Sequence, residues 1–283
     1  MQGILHRYTS KPCNLQAFES GTVDSGKVVI MLGGLTDGLI ACDYVPDINE
    51  LCTENGYSLI QPILRSSYCQ FGTGTLNRDV EDMEELVKWL EQSRSLESIC
   101  LVGHSTGCQI TTLFTKKSPL AAKVKTIVLQ APASDREAFT MEQTPEFISK
   151  LMQDSRAAKD KGQSDSIMHV LFGIAPLTAE RILDLFDKDG LDDMFSSDLK
   201  EKELQERLGH LGRFNTLFCI SLADQYVPSG VYPSLGPRLV AAAGDGAHLL
   251  QIEGANHSIS SEGEGKGKGE FIAKVKQMLQ EFM

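Results

Sequence analysis

One short segment of the chain decides its fold: Ile99-Cys100-Leu101-Val102-Gly103-His104-Ser105-Thr106-Gly107. Its first four residues form an apolar run, as in a strand that is buried on both faces of a parallel sheet. The next five match the pattern Gly-x-Ser-x-Gly, and residues 109–117 have the pattern of a helix. A tight turn between a buried strand and a helix exposes a serine hydroxyl for attack, so the segment predicts a nucleophile at Ser105.

Strand-length apolar runs alternate with amphipathic stretches on both sides of this segment. The predicted strands cover residues 27–32, 57–64, 99–102, 124–130, 216–221 and 248–252. The predicted helices cover residues 44–55, 80–92, 109–117 and 271–282. Such alternation is typical of an α/β fold built on a doubly wound, mostly parallel sheet.

The alternation is interrupted over residues 139–211, where no convincing strand is found. Helices are predicted there over residues 145–159, 164–172, 178–186 and 196–211. A crossover between neighbouring strands rarely needs so many residues. We therefore expect a single domain, residues 1–283, with a helical cap inserted at residues 139–211. Because parallel strands present their carboxyl ends at one edge of the sheet, both ends of the insertion should lie near Ser105. Its apolar residues would then face either the sheet or a substrate: Met152, Leu171, Phe172, Leu183 and Phe186.

The composition excludes several classes of protein. Hydrophobic residues make up 41% and charged residues 23% of the chain, as in a globular protein. Lys and Arg total 27 against 38 Asp and Glu, and the resulting net charge of −11 argues against binding to nucleic acid. The sequence has no apolar run of about 18 residues, which a membrane span would need. It also lacks the pattern of a signal peptide, and its seven scattered cysteines are expected to be reduced thiols. We expect a cytoplasmic protein without a metal site or cofactor, and the sequence leaves its oligomeric state open.

A serine nucleophile needs a general base, and in this architecture the order along the chain is serine, acid, histidine. The candidate bases are the six histidines His6, His104, His169, His210, His248 and His257. His257 follows the last predicted strand, at the edge of the sheet where catalytic groups collect. His248 begins that strand and is expected to be structural. His257 is therefore predicted to be the base.

Asp224 follows the predicted strand at residues 216–221, at the same edge of the sheet. We expect its carboxylate to accept a hydrogen bond from one nitrogen of His257 and so to fix the tautomer of the ring. Asp245 is the alternative, but it lies between two glycines, which is typical of an ordinary turn.

Acyl transfer also needs hydrogen-bond donors for the oxyanion that develops on the substrate. One predicted donor is the backbone N–H of Thr106, directly after the nucleophile. The other is the backbone N–H of Leu35, in the glycine-rich loop at residues 33–38. No Gly-Lys-Ser/Thr follows this loop and its glycines lack the Gly-x-Gly-x-x-Gly spacing, so it is not a phosphate-binding loop of either kind.

Together these residues resemble the α/β-hydrolase superfamily over nearly the whole chain. Three segments resemble the DUF1749 (UPF0613) family of siderophore-esterase-like proteins: Gly33-Gly34-Leu35-Thr36-Asp37-Gly38, Gln61-Pro62-Ile63-Leu64-Arg65-Ser66-Ser67-Tyr68 and Gly103-His104-Ser105-Thr106-Gly107-Cys108-Gln109. The resemblance implies the α/β-hydrolase fold, with Ser105, Asp224 and His257 as nucleophile, acid and base. It also implies hydrolysis of esters, among them the hydroxamate-type esters of fungal siderophores. One departure is Gly33, which stands where many hydrolases carry a histidine before the glycine.

Three functions fit this sequence. The leading hypothesis is a cofactor-free serine hydrolase that cleaves a small-molecule carboxylic ester or thioester through an acyl-enzyme. A ligand-binding protein that kept the fold without catalysis is the second, although a pure binder does not need all three residues. An acyltransferase that uses the same three residues, with an alcohol or amine in place of water, is the third.

Overall fold

An eight-stranded sheet runs through the centre of the computed structural model, which describes residues 1–260 and 266–281. Within those residues the strands are β1 Ile4–Thr9, β2 Leu15–Gly21, β3 Lys27–Leu32, β4 Ser58–Pro62, β5 Ser98–His104, β6 Val124–Gln130, β7 Ile167–Leu171, β8 Ala175–Thr178, β9 Asn215–Ser221 and β10 Ala247–Ile252. The order in the large sheet is β1-β2-β4-β3-β5-β6-β9-β10. From β4 to β10 all neighbouring strands are parallel, whereas β1 and β2 add an antiparallel edge.

Helices cover both faces of this sheet. In the part of the chain that the structure describes they are α1 Val45–Asn55, α2 Leu76–Ser93, α3 Thr106–Lys117, α4 Asp135–Glu142, α5 Pro145–Asp160, α6 Ala179–Phe186, α7 Glu201–Leu208, α8 Tyr232–Ala243 and α9 Lys266–Gln280. Strand β3 shows the two-sided burial, because Val28 and Ile30 belong to the apolar cluster on the face that α2, α3 and α8 cover. Val29 and Met31 pack with α1 and α9 on the opposite face. The predicted fold, a doubly wound and mostly parallel α/β sheet, is confirmed.

Each strand predicted for the sheet is present, and its ends lie within about two residues of the predicted ones. The pair β1–β2 and helix α8 were not predicted. The last helix begins at Lys266, earlier than expected, and residue 282, its predicted end, lies outside the described residues. Across residues 1–260 and 266–281, none of the helices combines the length and the apolar character that a membrane crossing requires.

The expectation of an all-helical insertion is wrong in one segment. Residues 164–172 were predicted to be a helix, but β7 lies there and pairs with β8 in an antiparallel hairpin. Apolar residues at helical spacing, such as Met168 and Phe172, produced the wrong prediction. The chain reverses at Phe172 and Gly173, which both have positive φ angles, and this turn closes the hairpin. Residues 196–211 form the shorter helix α7 followed by a 3-10 turn.

Apolar side chains between β6 and β9 fall into two groups. Those between Phe139 and Phe186 form a cluster of their own, with Phe71 and the half-buried Leu35 against it. Phe139 and Phe186 stack there, with ring centroids 3.9 Å apart. Those between Met194 and Leu211 belong instead to the apolar cluster on the α2–α3 face of the sheet. Below, the name 139–186 cluster refers to the whole chain segment from residue 139 to residue 186, including its exposed side chains.

The two glycines of the Gly-x-Ser-x-Gly motif allow α3 to lie unusually close to the sheet. A Cβ atom at Gly107 would collide with the carbonyl oxygen of Leu32 and would come within 2.9 Å of the carbonyl oxygen of Gly33. One at Gly103 would collide with the carbonyl oxygen of Gly107. Because these neighbours are backbone atoms, they cannot rotate away, and the motif requires glycine at both positions.

We therefore expect Gly107→Ala to lower the free energy of unfolding by about 1–3 kcal/mol, since α3 must shift away from β3. The matched control is Gly269→Ala in α9, where a Cβ atom meets nothing within 4 Å. There the added methyl group should stabilise the exposed helix by up to about 1 kcal/mol. Urea unfolding followed by circular dichroism measures both changes. Equal effects of the two substitutions would contradict the close packing at Gly107.

Candidate active site

Ser105 lies on the turn between β5 and α3, with a backbone conformation that few side chains adopt. Its φ and ψ angles are 53° and −124°. Its N–H donates to the carbonyl oxygen of Gln130 at 3.0 Å, which ties the turn to the end of β6. A non-glycine residue held at positive φ between a strand and a helix projects its side chain out of the sheet edge, as a nucleophile requires.

Asp224 and His257 meet at the same edge of the sheet. The Nδ1 atom of His257 lies 2.7 Å from the Oδ2 atom of Asp224, and both side chains are buried. The other carboxylate oxygen accepts the backbone N–H of Tyr226 at 2.9 Å. Because an ionised carboxylate only accepts, the proton of a neutral His257 belongs on Nδ1, and Nε2 keeps its lone pair.

Gln130, the last residue of β6, joins these parts and was not singled out from the sequence. Its fully buried side chain donates from Nε2 to the carbonyl oxygen of His257 at 2.8 Å. Its Oε1 atom accepts the hydroxyl of Tyr44 at 3.0 Å and lies 2.6 Å from Nδ1 of His104. The sequence signal that could have found it is a polar amide at the carboxyl end of a buried strand.

His104 packs against the candidate base without being one itself. Its ring centroid lies 4.9 Å from that of His257. Burial, reinforced by the neighbouring His257, lowers the pKa of His104 to about 3. His104 is therefore neutral at physiological pH, and its bond to Gln130 makes Nδ1 the protonated nitrogen. It fills the wall of the site with an uncharged ring.

The loop after β3 crosses directly above Ser105. A Cβ atom on Gly34 would lie 2.6 Å from Cβ of Ser105, so only glycine permits this approach. Asp37 holds the loop in place, because its Oδ2 atom accepts the N–H of Gly34 at 2.7 Å. Burial raises the pKa of Asp37, while the N–H of Gly34 and the charge of His257 lower it. Within the described residues, the backbone N–H groups of Leu35 and Thr106 have no acceptor.

A cavity of about 340 Å³ opens beside Ser105 and His257. Apolar side chains from the 139–186 cluster line part of it: Phe139, Leu171, Phe172 and Phe186. Of the other insertion residues predicted to face inward, Met152 and Leu183 pack inside that cluster. The cavity is also lined by the carboxyl groups of Asp37, Asp135 and Glu142, and its described lining contains no Lys or Arg. Burial, reinforced by the charge of Asp192, raises the pKa of Asp135 to about 7.

Apart from His104, the rival candidates from the sequence do not line this cavity. Asp245 and His248 are exposed near and on β10. His210 contacts the carbonyl oxygen of Thr112 and His169 packs on Phe147, so both contribute to packing. In the portion that the structure describes, no three His, Cys, Asp or Glu side chains are arranged to hold a metal ion.

Comparison with known proteins agrees with this architecture. A model of the family described as "Protein of unknown function (DUF1749)" matches residues 1–280. A UPF0613 protein of Schizosaccharomyces pombe is 35% identical over 74% of this chain and 71% of its own length. The fusarinine C esterase of Aspergillus fumigatus is 30% identical over 82% of this chain and 80% of its own length.

The solved structure of a siderophore hydrolase from Aspergillus fumigatus superimposes with a TM-score of 0.78 at 26% identity, over 99% of this chain and 97% of that one. An α/β-hydrolase fold protein of unknown function superimposes with a TM-score of 0.74 at 18% identity, over 99% and 96% of the two chains, and bears on the fold alone. The fold is thus the α/β-hydrolase fold, and the enzyme class is that of the esterases and related hydrolases. By the match over almost its whole length, the chain belongs to the DUF1749 family.

Proposed function

We propose that this protein is a serine hydrolase that cleaves a small-molecule carboxylic ester, with Ser105 as nucleophile, His257 as base and Asp224 as the orienting acid. The observation that carries the proposal is the 2.7 Å contact between Asp224 and His257, because His257 lines the same cavity as Ser105. The strained turn at Ser105 adds support, because backbone strain of this kind is retained where function needs it.

The reaction proceeds in two halves. Nε2 of His257 takes the proton of the Ser105 hydroxyl as Oγ bonds to the ester carbonyl carbon, and the carbonyl electrons move onto oxygen. The tetrahedral intermediate then collapses, the bond to the leaving alcohol breaks, and His257 gives that alcohol its proton. Water attacks the acyl-enzyme in the same way, which releases the carboxylic acid and restores Ser105. Asp224 stabilises the imidazolium in both halves.

The developing oxyanion is stabilised by the backbone N–H groups of Leu35 and Thr106. Both groups lack an acceptor among the described residues, and both belong to segments in contact with Ser105. Backbone donors fixed before the reaction need no reorganisation when the charge appears, which is why such sites accelerate acyl transfer. In this chain Asp37 maintains the loop that carries Leu35.

The substrate is inferred to be an ester of the hydroxamate siderophore type, because two relatives are named for such activity, a fusarinine C esterase and a siderophore hydrolase. The cavity supports a neutral or cationic group near the ester. Three carboxyl groups and no Lys or Arg occur in its described lining, so an anionic group would find no Lys or Arg to pair with there.

The 139–186 cluster acts as a cap on this site and selects the acyl or alcohol group by shape, within a single domain that spans residues 1–283. Its support is the separate apolar cluster in this segment, from which Phe139, Leu171 and Phe186 reach the cavity, together with the exposed Phe172. The remainder of the predicted cap, up to residue 211, packs on the sheet and belongs to the body of the domain.

The first test is labelling by a fluorophosphonate, a reagent that reacts with activated serine hydroxyls. Ser105 should be the labelled residue, since its hydroxyl lies in a cavity with a general base. Ser105→Ala should abolish labelling and lower turnover of a chromogenic short-chain ester at least about 10³-fold. Labelling that persists in the variant would overturn the proposal, and a wild-type protein that binds esters without turnover would favour the ligand-binding alternative.

The base is tested by comparing two histidines near the same strand. His257→Ala should reduce turnover about as much as Ser105→Ala does, because nucleophile and base act as a unit. His248→Ala is the matched control, since His248 is exposed on β10 and should leave turnover unchanged. Loss of activity in the His248 variant with activity kept in the His257 variant would reverse the assignment.

The cap is tested on two neighbouring residues of the hairpin turn. Phe172 and Ile174 are 56% and 57% exposed, but only Phe172 lines the cavity. Phe172→Ala should therefore change the ratio of turnover between octanoyl and acetyl esters by about threefold or more. Ile174→Ala should leave the ratio unchanged, and labelling of Ser105 should be normal in both. Identical ratios in the two variants would show that the turn does not contact substrate.

A further inference from the structure

A second, much smaller cavity lies behind the loop that carries Leu35. Its volume is about 30 Å³, and the site cavity lies on the other side of the loop. Gly34 and Leu35 form one wall, and Thr106 at the start of α3 forms another. Asp79 of α2 and Arg181 of α6 also line it. The cavity therefore borders both of the segments that supply the proposed oxyanion donors.

Two buried polar atoms at this cavity have no protein partner. Among the residues that the structure describes, these atoms are Oδ1 of Asp79 and the hydroxyl oxygen of Thr106. The two residues are 2% and 4% exposed. Buried polar atoms almost always form hydrogen bonds, with protein or with ordered water. Two such atoms on one small cavity indicate a shared ligand that can both donate and accept.

The chemistry of the lining selects water as that ligand. One water needs a cavity of roughly 10–15 Å³ and at least two polar partners, whereas apolar cavities of similar size stay dry. Burial raises the pKa of Asp79 to about 6, and a hydrogen bond from Ser66 and the charge of Arg181 lower it. Both the protonated and the ionised carboxyl group of Asp79 can form a hydrogen bond with water. The Arg181 guanidinium is itself fixed, since Nε donates to the carbonyl oxygen of Phe71 at 2.9 Å and Nη1 contacts Asp192 at 2.6 Å.

We propose that one water molecule binds in this cavity, bridges Oδ1 of Asp79 and the hydroxyl of Thr106, and thereby holds the oxyanion donors in place. Asp79 and the Thr106 side chain are then positioning residues, which act through the backbone of Thr106 and the neighbouring loop. The inference rests on the proposed function in one respect, the role of these two N–H groups in catalysis. Occupancy of the cavity by water does not depend on that role.

The kinetic test compares two threonines on the same helix. Thr106→Val removes the hydroxyl but keeps the shape and the backbone N–H, and Thr111→Val is the matched control. Thr111 is also buried, and its hydroxyl also lacks a partner among the described residues, but it does not line the cavity. Thr106→Val should lower kcat about tenfold with KM little changed, because a misplaced donor weakens binding of the transition state alone. Thr106→Ser should restore most of the activity.

A transition-state analogue separates positioning from a general loss of stability. The serine oxygen adds to the carbonyl carbon of a trifluoromethyl ketone, and the adduct carries a tetrahedral oxyanion. The affinity of Thr106→Val for this ketone should therefore fall by the same factor as its kcat. Thr111→Val should change neither quantity. Equal behaviour of the two valine variants would overturn the positioning role.

The water itself is tested by crystallography and by a double variant. Crystals of the wild-type protein should show density for one water between Asp79 and Thr106, and those of Thr106→Val should lack it. In Asp79→Leu/Thr106→Val the loss of kcat should be smaller than the product of the single losses, since both act through one water. If Asp79→Leu fails to fold, the crystallographic comparison decides alone. A dry wild-type cavity overturns this inference, whereas full activity of Ser105→Ala would overturn the proposed function and leave the water site standing.

Discussion

The contact between Gly107 and the carbonyl oxygens of Leu32 and Gly33 sets the distance between α3 and β3, and the candidate site depends on that distance. Because the loop at residues 33–38 follows β3 directly, the same contact brings Leu35 and Ser105 to one point. A side chain at position 107 would separate the helix from the strand and the two proposed donors from each other. The proposed nucleophile, its turn and the loop that carries Leu35 are thus positioned by one packing constraint.

The proposed base, His257, is positioned by a different part of the sheet, and Gln130 connects that part to Ser105. Its backbone carbonyl accepts from Ser105, and its side chain donates to the backbone of His257. An amide buried this deeply costs free energy unless all of its groups are bonded, and here both ends of the side chain have partners. The spacing of Ser105 and His257 is therefore fixed by the body of the domain, independently of the segment that covers the cavity.

The sequence predicted those elements whose apolar pattern can be recognised within one short segment. Strands β3 and β5 contain continuous apolar runs, and Asp224 and His257 could be chosen because each follows a strand that the sequence predicted. Strand β1 was missed because Ile4 and Leu5 are exposed, so it shows no buried apolar run. Its pairing with β2 is a contact between segments, which the pattern within β1 does not show. Helix α8 contains Pro237, which argues against a helix when only local preference is considered. Gln130 and Asp37 act through contacts between segments, which no pattern within one segment contains.

The 139–186 cluster shares no buried residue with either apolar cluster on the faces of the sheet. Segments with a separate core can open by local unfolding, with a free energy below that of the whole domain. The sheet, Ser105 and Gln130 would remain folded during such an opening. A cluster that opened in this way would limit the size of a molecule reaching Ser105 by the fraction of time it is open, and not by the cavity volume of 340 Å³. Amide hydrogen exchange in α5 and α6 reports that equilibrium directly.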